Sequence, residues 1–138
     1  MALTVLKIQF HCLIRSMYDE GMVNEEFLNL QSTRLLPFRR DSVLRAVTSY
    51  CFYCRNAFST LTDQIDREGV DFERVGELAL EFYAKTCIIG AESVRRACAE
   101  LVHASMKKDK DGCYLALYWT KNRFSHLRVK FETLVKGQ

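Results

Sequence analysis

Apolar residues recur three and four positions apart along most of the chain, the spacing that lines one face of a 3.6-residue helix. The first run carries Leu3, Leu6, Phe10, Leu13 and Met17 and stops at Asp19–Gly21, where Gly21 suits a helix C-terminal cap. Asn24 then caps a short helix over "NEEFLNLQ", whose early glutamates fall at the positive end of the dipole. A basic, proline-containing loop, "STRLLPFRR", leads to a long helix with Asp41 at its N-cap. Its inward stripe is Val43, Val47, Tyr50, Cys54, Ala57, Leu61 and Ile65, and it stops near Gly69. Asp71 opens the next helix, with Phe72, Val75, Ala79, Phe82, Thr86 and Ile89 inward and a joint at Gly90–Ala91. Val94, Ala97, Cys98, Leu101 and Ser105 form the following inner face. "KKDKDG", Lys107 to Gly112, alternates its charges and reads as a solvated turn. The last helix repeats in a four-three pattern through Cys113, Leu117, Thr120, Phe124, Leu127, Phe131 and Leu134.

This pattern predicts an all-α chain of six helices. The last four, over residues 41–135, are joined by short turns and form an antiparallel four-helix bundle. The two helices within residues 1–36 cover one end or side of it, so residues 1–138 read as a single domain. One proline and six glycines leave little turn chemistry for a β fold. No internal repeat or low-complexity tract interrupts the sequence.

Composition narrows the function by exclusion. A 49% hydrophobic and 27% charged chain is globular in composition, not disordered. No apolar run is long enough to span a bilayer, and no signal-peptide pattern opens the chain, so it is expected to be intracellular, with no membrane partner. A net charge of +3 is only mildly basic and is not gathered on one aromatic-bearing face, which argues against nucleic acid as a partner. Cys12, Cys51, Cys54, Cys87, Cys98 and Cys113 are scattered through helical patterns. The Cys51–Cys54 pair falls in mid-helix, away from a helix N-terminus that would activate a thiol, and lacks two further ligands for zinc. Small buried residues are the better reading for these cysteines. His103 stands beside Arg96 and Glu100 on the outer side of its helix and reads as a surface residue, and His11 and His126 have no carboxylate or nucleophile at useful helical spacing. There is no phosphate-binding glycine loop and no Glu-x-x-His metal pattern. The expectation is a protein that is not an enzyme and takes no metal or cofactor.

One stretch does not fit a plain bundle. In "ALEFYAKTCIIGAESV" Leu80 lies about 130° from the centre of its helix's inward stripe, and Gly76, Tyr83, Ala84 and Cys87 fall on the same outward side. Two readings stay open: the N-terminal helices cover this face, or it is a contact surface for a partner.

Several segments in order resemble the plant histidine-containing phosphotransfer proteins of cytokinin-type two-component signalling. They are "SMYDEGMVNEEFLNLQ", "AVTSYC", "VDFERV", "IIGAESVRRAC", "DGCYLALYW" and "LRVKFETL". The resemblance spans nearly the whole chain, and the family fold it implies is the same helical bundle. The family's active motif is His-Gln-Leu-Lys-Gly-Ser-Ser-x-Ser-Ile-Gly-Ala. Anchored on Ile89-Gly90-Ala91, this chain reads "LEFYAKTCIIGA". Leu80 therefore occupies the phosphohistidine position, Tyr83 that of the phosphate-steadying lysine, and Ala84 that of the glycine that lets a partner approach. Pseudo members of the family often place Asn or Gln at the site and keep the lysine and glycine, whereas here all three differ. Phe52 and Tyr53 stand where the family tends to be acidic.

The resemblance thus implies a pseudo-phosphotransfer protein. It would bind receiver domains of hybrid histidine kinases and response regulators through Leu80, Tyr83, Ala84, Cys87 and Gly76, carry no phosphate and dampen the relay. It would act as a monomer in cytoplasm and nucleus. Two alternatives accompany this reading: a mediator that uses a non-standard histidine, with His103 the candidate, and a diverged helical interaction module outside two-component signalling.

Overall fold

The computed structural model describes residues 2–30 and 40–136, apart from the side chains of residues 2, 3, 6, 40 and 41. Its elements are α1 (Ala2–Asp19), α2 (Glu25–Leu30), α3 (Arg40–Ile65), α4 (Phe72–Ile89), α5 (Glu92–Met106) and α6 (Lys110–Lys136). Among the described residues there is no strand, and no helix is long and apolar enough to cross a membrane. Residues 32–39 of the expected loop at 32–40 and the side chains of Leu3, Leu6 and Asp41 lie outside what is described, and Arg40 belongs to α3.

Each helix forms where its apolar stripe can be buried, and the stripes of α3 to α6 meet in one core. α5 packs along both α4 and α6, and α3 packs against both α4 and α6, which closes the bundle. A chain of rings runs through its centre: Phe82 of α4 lies 5.2 Å from Phe58 of α3, which lies 5.5 Å from Phe124 of α6. Burying a side chain of this size stabilises the fold by about 1.5–3 kcal/mol. A side chain-to-side chain hydrogen bond sits inside: the hydroxyls of Tyr50 and Thr86 lie 2.8 Å apart. Burial pushes the Tyr50 phenol well above its ordinary range, so it stays neutral.

The N-terminal helices attach by specific contacts. Phe10, Ile14 and Met17 bury the inner side of α1, which packs on α6. α1 ends with Gly21 at φ +77°; the Gly21 N–H donates to the Tyr18 carbonyl and the Met22 N–H to the Met17 carbonyl. Asn24 caps α2, its Oδ1 accepting from the Glu26 N–H at 2.9 Å, and Phe27 stacks on Phe131 of α6 at 5.6 Å. α2 reaches the C-terminal end of α4, where the Asn24 N–H donates to the Gly90 carbonyl at 2.9 Å.

The structure corrects several local expectations. α3 begins at Arg40, so Asp41 lies inside its first turn and is not its cap. Only residues 107–109 form the turn before α6, because Asp109 caps that helix: its Oδ1 accepts from the Gly112 N–H at 2.9 Å. Leu44 and Phe58 are buried where the α3 stripe had included half-buried Ala57, and Ile14 is buried while Leu13 is only partly so. Phe72 and Ala97 are also only partly buried. Of the cysteines, Cys54, Cys98 and Cys113 are core residues, Cys51 and Cys87 are half-buried, and Cys12 is exposed.

Candidate functional site

α4 carries the face singled out above, and its position follows from its two ends. At the start, the Asp71 carboxylate accepts from the Arg74 N–H at 3.1 Å, and Glu73 sits in the first turn. At the end, Gly90 takes φ +78° and its N–H reaches the Thr86 and Cys87 carbonyls. A Cβ on Gly90 would stand 2.4 Å from the Phe27 nitrogen, so a side chain there would drive α2 away. Val75, Ala79, Phe82, Thr86 and Ile89 are buried, which fixes the rotation of the helix about its axis.

That rotation turns Leu80 outward, 56% exposed, with Ala84 exposed beside it. α1 and α2 do not cover Leu80; they occupy the α6 side of the bundle and the C-terminal end of α4. Tyr83 and Cys87 are half-buried, leaning toward α5. Gly76 departs from its expected place on the open face. A Cβ built on it would stand 3.2 Å from the Ser105 hydroxyl oxygen of α5, so Gly76 belongs to the α4–α5 packing seam.

A polar network backs this face. Arg95 of α5 donates to the Tyr83 hydroxyl at 3.1 Å and grips Glu92 with two bonds of 2.7 Å. Glu92 also accepts from Asn24 at 3.0 Å and from Arg96 at 2.9 Å. The Arg95 bonds, outweighing the opposing effect of burial and aided by Asn24 and Arg96, hold the Glu92 carboxyl at about 2. Residue pattern alone did not single out this network. Glu92–Arg95 and Glu92–Arg96 are readable as helical pairs, whereas the reach of Arg95 to Tyr83 depends on how α4 and α5 cross.

On the other flank, toward α3, Lys85 stands 5.2 Å over the Tyr53 ring, and Ile88 is 73% exposed. Phe52 of α3 is 68% exposed. Ile88 was missed in the sequence; eight residues beyond Leu80, it is turned about 80° round the helix toward α3.

The chemistry of the face is limited. A phosphoryl acceptor of the imidazole type needs a nitrogen lone pair, and Leu80 has none. The Tyr83 hydroxyl, one turn on, is hydrogen-bonded to a guanidinium. His103 is exposed and lines a groove of about 730 Å³ between α5 and α6 together with His126 and Trp119. Ser105, two residues on, faces Gly76 of α4, so His103 points to the opposite side of α5. Burial raises the thiols of Cys51 and Cys54, which is the reverse of what a reactive Cys-x-x-Cys pair requires. Among the described residues no group of three or more His, Cys, Asp or Glu side chains could hold a metal ion.

No protein-family model matches the chain. It is similar to histidine-containing phosphotransfer protein 2 of Oryza sativa subsp. japonica, 27% identical over 136 residues, covering 99% of this chain and 91% of the relative. It is also 25% identical over 128 residues to pseudo histidine-containing phosphotransfer protein 6 of Arabidopsis thaliana, covering 89% and 80% of the two chains. A solved histidine-containing phosphotransfer protein from rice superposes with a TM-score of 0.90 at 27% identity, over 99% of this chain and 96% of that one. The likenesses in sequence and in fold support the histidine-containing phosphotransfer family.

Proposed function

We propose that this chain is a pseudo-phosphotransfer protein of plant cytokinin-type two-component signalling. It binds receiver domains of hybrid histidine kinases and response regulators without carrying phosphate, and so dampens the relay. The observation that carries the reading is Leu80: an exposed, chemically inert side chain at the position the family motif gives to its reactive histidine, on a helix otherwise built to present that position. Leu80, Ala84, Tyr83 and Cys87 form the docking face, with Gly76 acting behind it by letting α5 close on α4. The protein acts as a monomer in cytoplasm and nucleus.

The reading is tested with a receiver domain labelled on its aspartyl phosphate. Mixed with the chain, it leaves the chain unlabelled while an immobilised chain retains the receiver. Tyr83→Ala weakens that retention by about 1–2 kcal/mol, the size of a moderate aromatic anchor, and His103→Ala leaves it unchanged. Acid-labile label abolished by His103→Ala would establish a relay through His103 instead. Failure to retain any receiver would make the chain a helical module with other partners.

A further inference from the structure

α3 and α6 run antiparallel. The Tyr114 hydroxyl, near the start of α6, donates to the Asp66 carboxylate just past the end of α3, and the Lys121 Nζ donates to the Thr62 hydroxyl at 2.9 Å. Val47, Cys51 and Arg55 follow one another at four-residue spacing on α3, as Arg128, Phe131 and Val135 do at three and four on α6. These two rows wall a cleft of about 280 Å³, close to the lower end of the range for ligand pockets, about 300–1,000 Å³. Val47 and Phe131 are buried beneath it, and Cys51 and Val135 are half-buried, so its floor is apolar. Cys51 and Tyr53 stand about 160° apart round α3, which puts that helix between the cleft and α4.

The antiparallel run brings Arg55 and Arg128 to the same end of the cleft. Burial raises the Cys51 thiol and both guanidiniums oppose it, as expected of two cations near one sulfur. Lys136 lines the other end, and Glu132 is the single carboxylate of the lining. Glu132 does not satisfy these cations. Its Oε1 lies 3.6 Å from the Arg128 Nε, too long for a hydrogen bond, and that nitrogen is buried without a hydrogen-bond partner. Arg95 shows a satisfied guanidinium in the same molecule, with two bonds of 2.7 Å to Glu92. Among the described residues neither Arg55 nor Lys136 pairs with a carboxylate. A buried donor without an acceptor, beside a second guanidinium and over an apolar floor, fits a ligand with one anionic group and an apolar body.

We propose that the α3–α6 cleft binds a small organic acid with an apolar body. Its carboxylate meets Arg55 and Arg128, one oxygen accepting from the Arg128 Nε, and its body lies over Val47, Cys51 and Phe131. α3 separates this site from α4, so it does not depend on the reading given to the Leu80 face.

The probe is 4-phenylbutyrate, titrated calorimetrically into the full chain at low salt, with 4-phenylbutanol as its neutral counterpart and 4-phenylbutylamine as its cationic one. One molecule of the acid binds per chain. The alcohol binds about tenfold or more weakly, the amine does not bind, and added salt weakens the acid. Arg128→Gln and Arg55→Gln each lower the affinity for the acid by about tenfold, as loss of a hydrogen bond to a charged group does. Lys85→Gln, which removes a cation of α4, leaves it unchanged. A second readout needs no variant. Bound acid slows alkylation of half-buried Cys51 by N-ethylmaleimide, followed on its own peptide by mass spectrometry, and leaves exposed Cys12 unaffected. Absence of saturable binding, or equal binding of the alcohol or the amine, would overturn the proposal. So would saturable binding that is indifferent to Arg128→Gln or leaves Cys51 unprotected, since the acid would then sit elsewhere. None of these results bears on the receiver reading, which Tyr83→Ala tests by itself.

Discussion

The two flanks of α4 are held by different forces. Toward α5, Tyr83 is tied through Arg95 to Glu92 and on to Asn24, and Gly76 lets Ser105 come close. Toward α3, ring and aliphatic contacts prevail: Tyr53 lies 5.9 Å from Phe82, Lys85 covers Tyr53, and Phe52 and Ile88 project into solvent. A forked guanidinium–carboxylate pair fixes direction as well as distance. Ring contacts tolerate sliding and tilting with little loss. The α5 flank therefore presents one shape to a partner, and the α3 flank can adjust.

The largest expected effect lies at the end shared by both flanks. Gly90→Ala adds a left-handed alanine and a clash with the α2 backbone, and is expected to cost about 2–4 kcal/mol in urea unfolding. A cost below about 1 kcal/mol would show that α2 can withdraw without penalty.

Glu92→Gln strikes the α5 flank next, with an expected loss of about 1–3 kcal/mol, as for a hydrogen-bonded charge with several partners. It carries a pH signature. The Glu92 carboxyl is depressed from its ordinary 4.5 to about 2, so its stabilisation is complete above about 4.5 and disappears as pH falls toward 2. The unaltered chain should lose stability across that window more steeply than Glu92→Gln. Parallel curves would mean that the network does not survive in solution.

A matched pair of smaller changes separates the flanks directly. Tyr83→Phe removes a hydroxyl that accepts from Arg95 and is expected to cost about 0.5–1 kcal/mol. Tyr53→Phe removes a hydroxyl with no hydrogen bond among the described residues, and calorimetry should show almost no change. Equal losses would erase the distinction between the flanks. Smallest of all, Leu80→Ala should stay within about 0.5 kcal/mol of the unaltered chain, because Leu80 stabilises nothing inside the fold.

The four-three spacing of α6 located all of its buried residues but Ala116, because a helix packed against three neighbours has one unambiguous inner stripe. Ala116 joins that stripe as a further buried residue. α3 was less legible. Over 26 residues its apolar face is broad enough to hold both Ala57 and Phe58, and the rings of Phe82 and Phe124 opposite decide that Phe58 is the buried one. The outward position of Leu80 followed from helical geometry alone. The withdrawal of Gly76 into the α4–α5 seam and the bond from Arg95 to Tyr83 did not, since both depend on the approach of two helices. Asp109 was hidden for a local reason: alternating charges look like a solvated turn whether or not one carboxylate caps a helix.

Gly90 also bears on how such chains are to be recognised. Its left-handed backbone and the nitrogen of Phe27 pressed against it make glycine a requirement of the chain's path, unconnected to any reaction. A motif built around this residue therefore reports architecture. A chain can keep that signature, and the helix it terminates, while the reactive position ten residues upstream drifts to an inert side chain. Identifying an active relay in a new sequence should rest on the upstream residue, since the glycine marks the scaffold in working and silent copies alike.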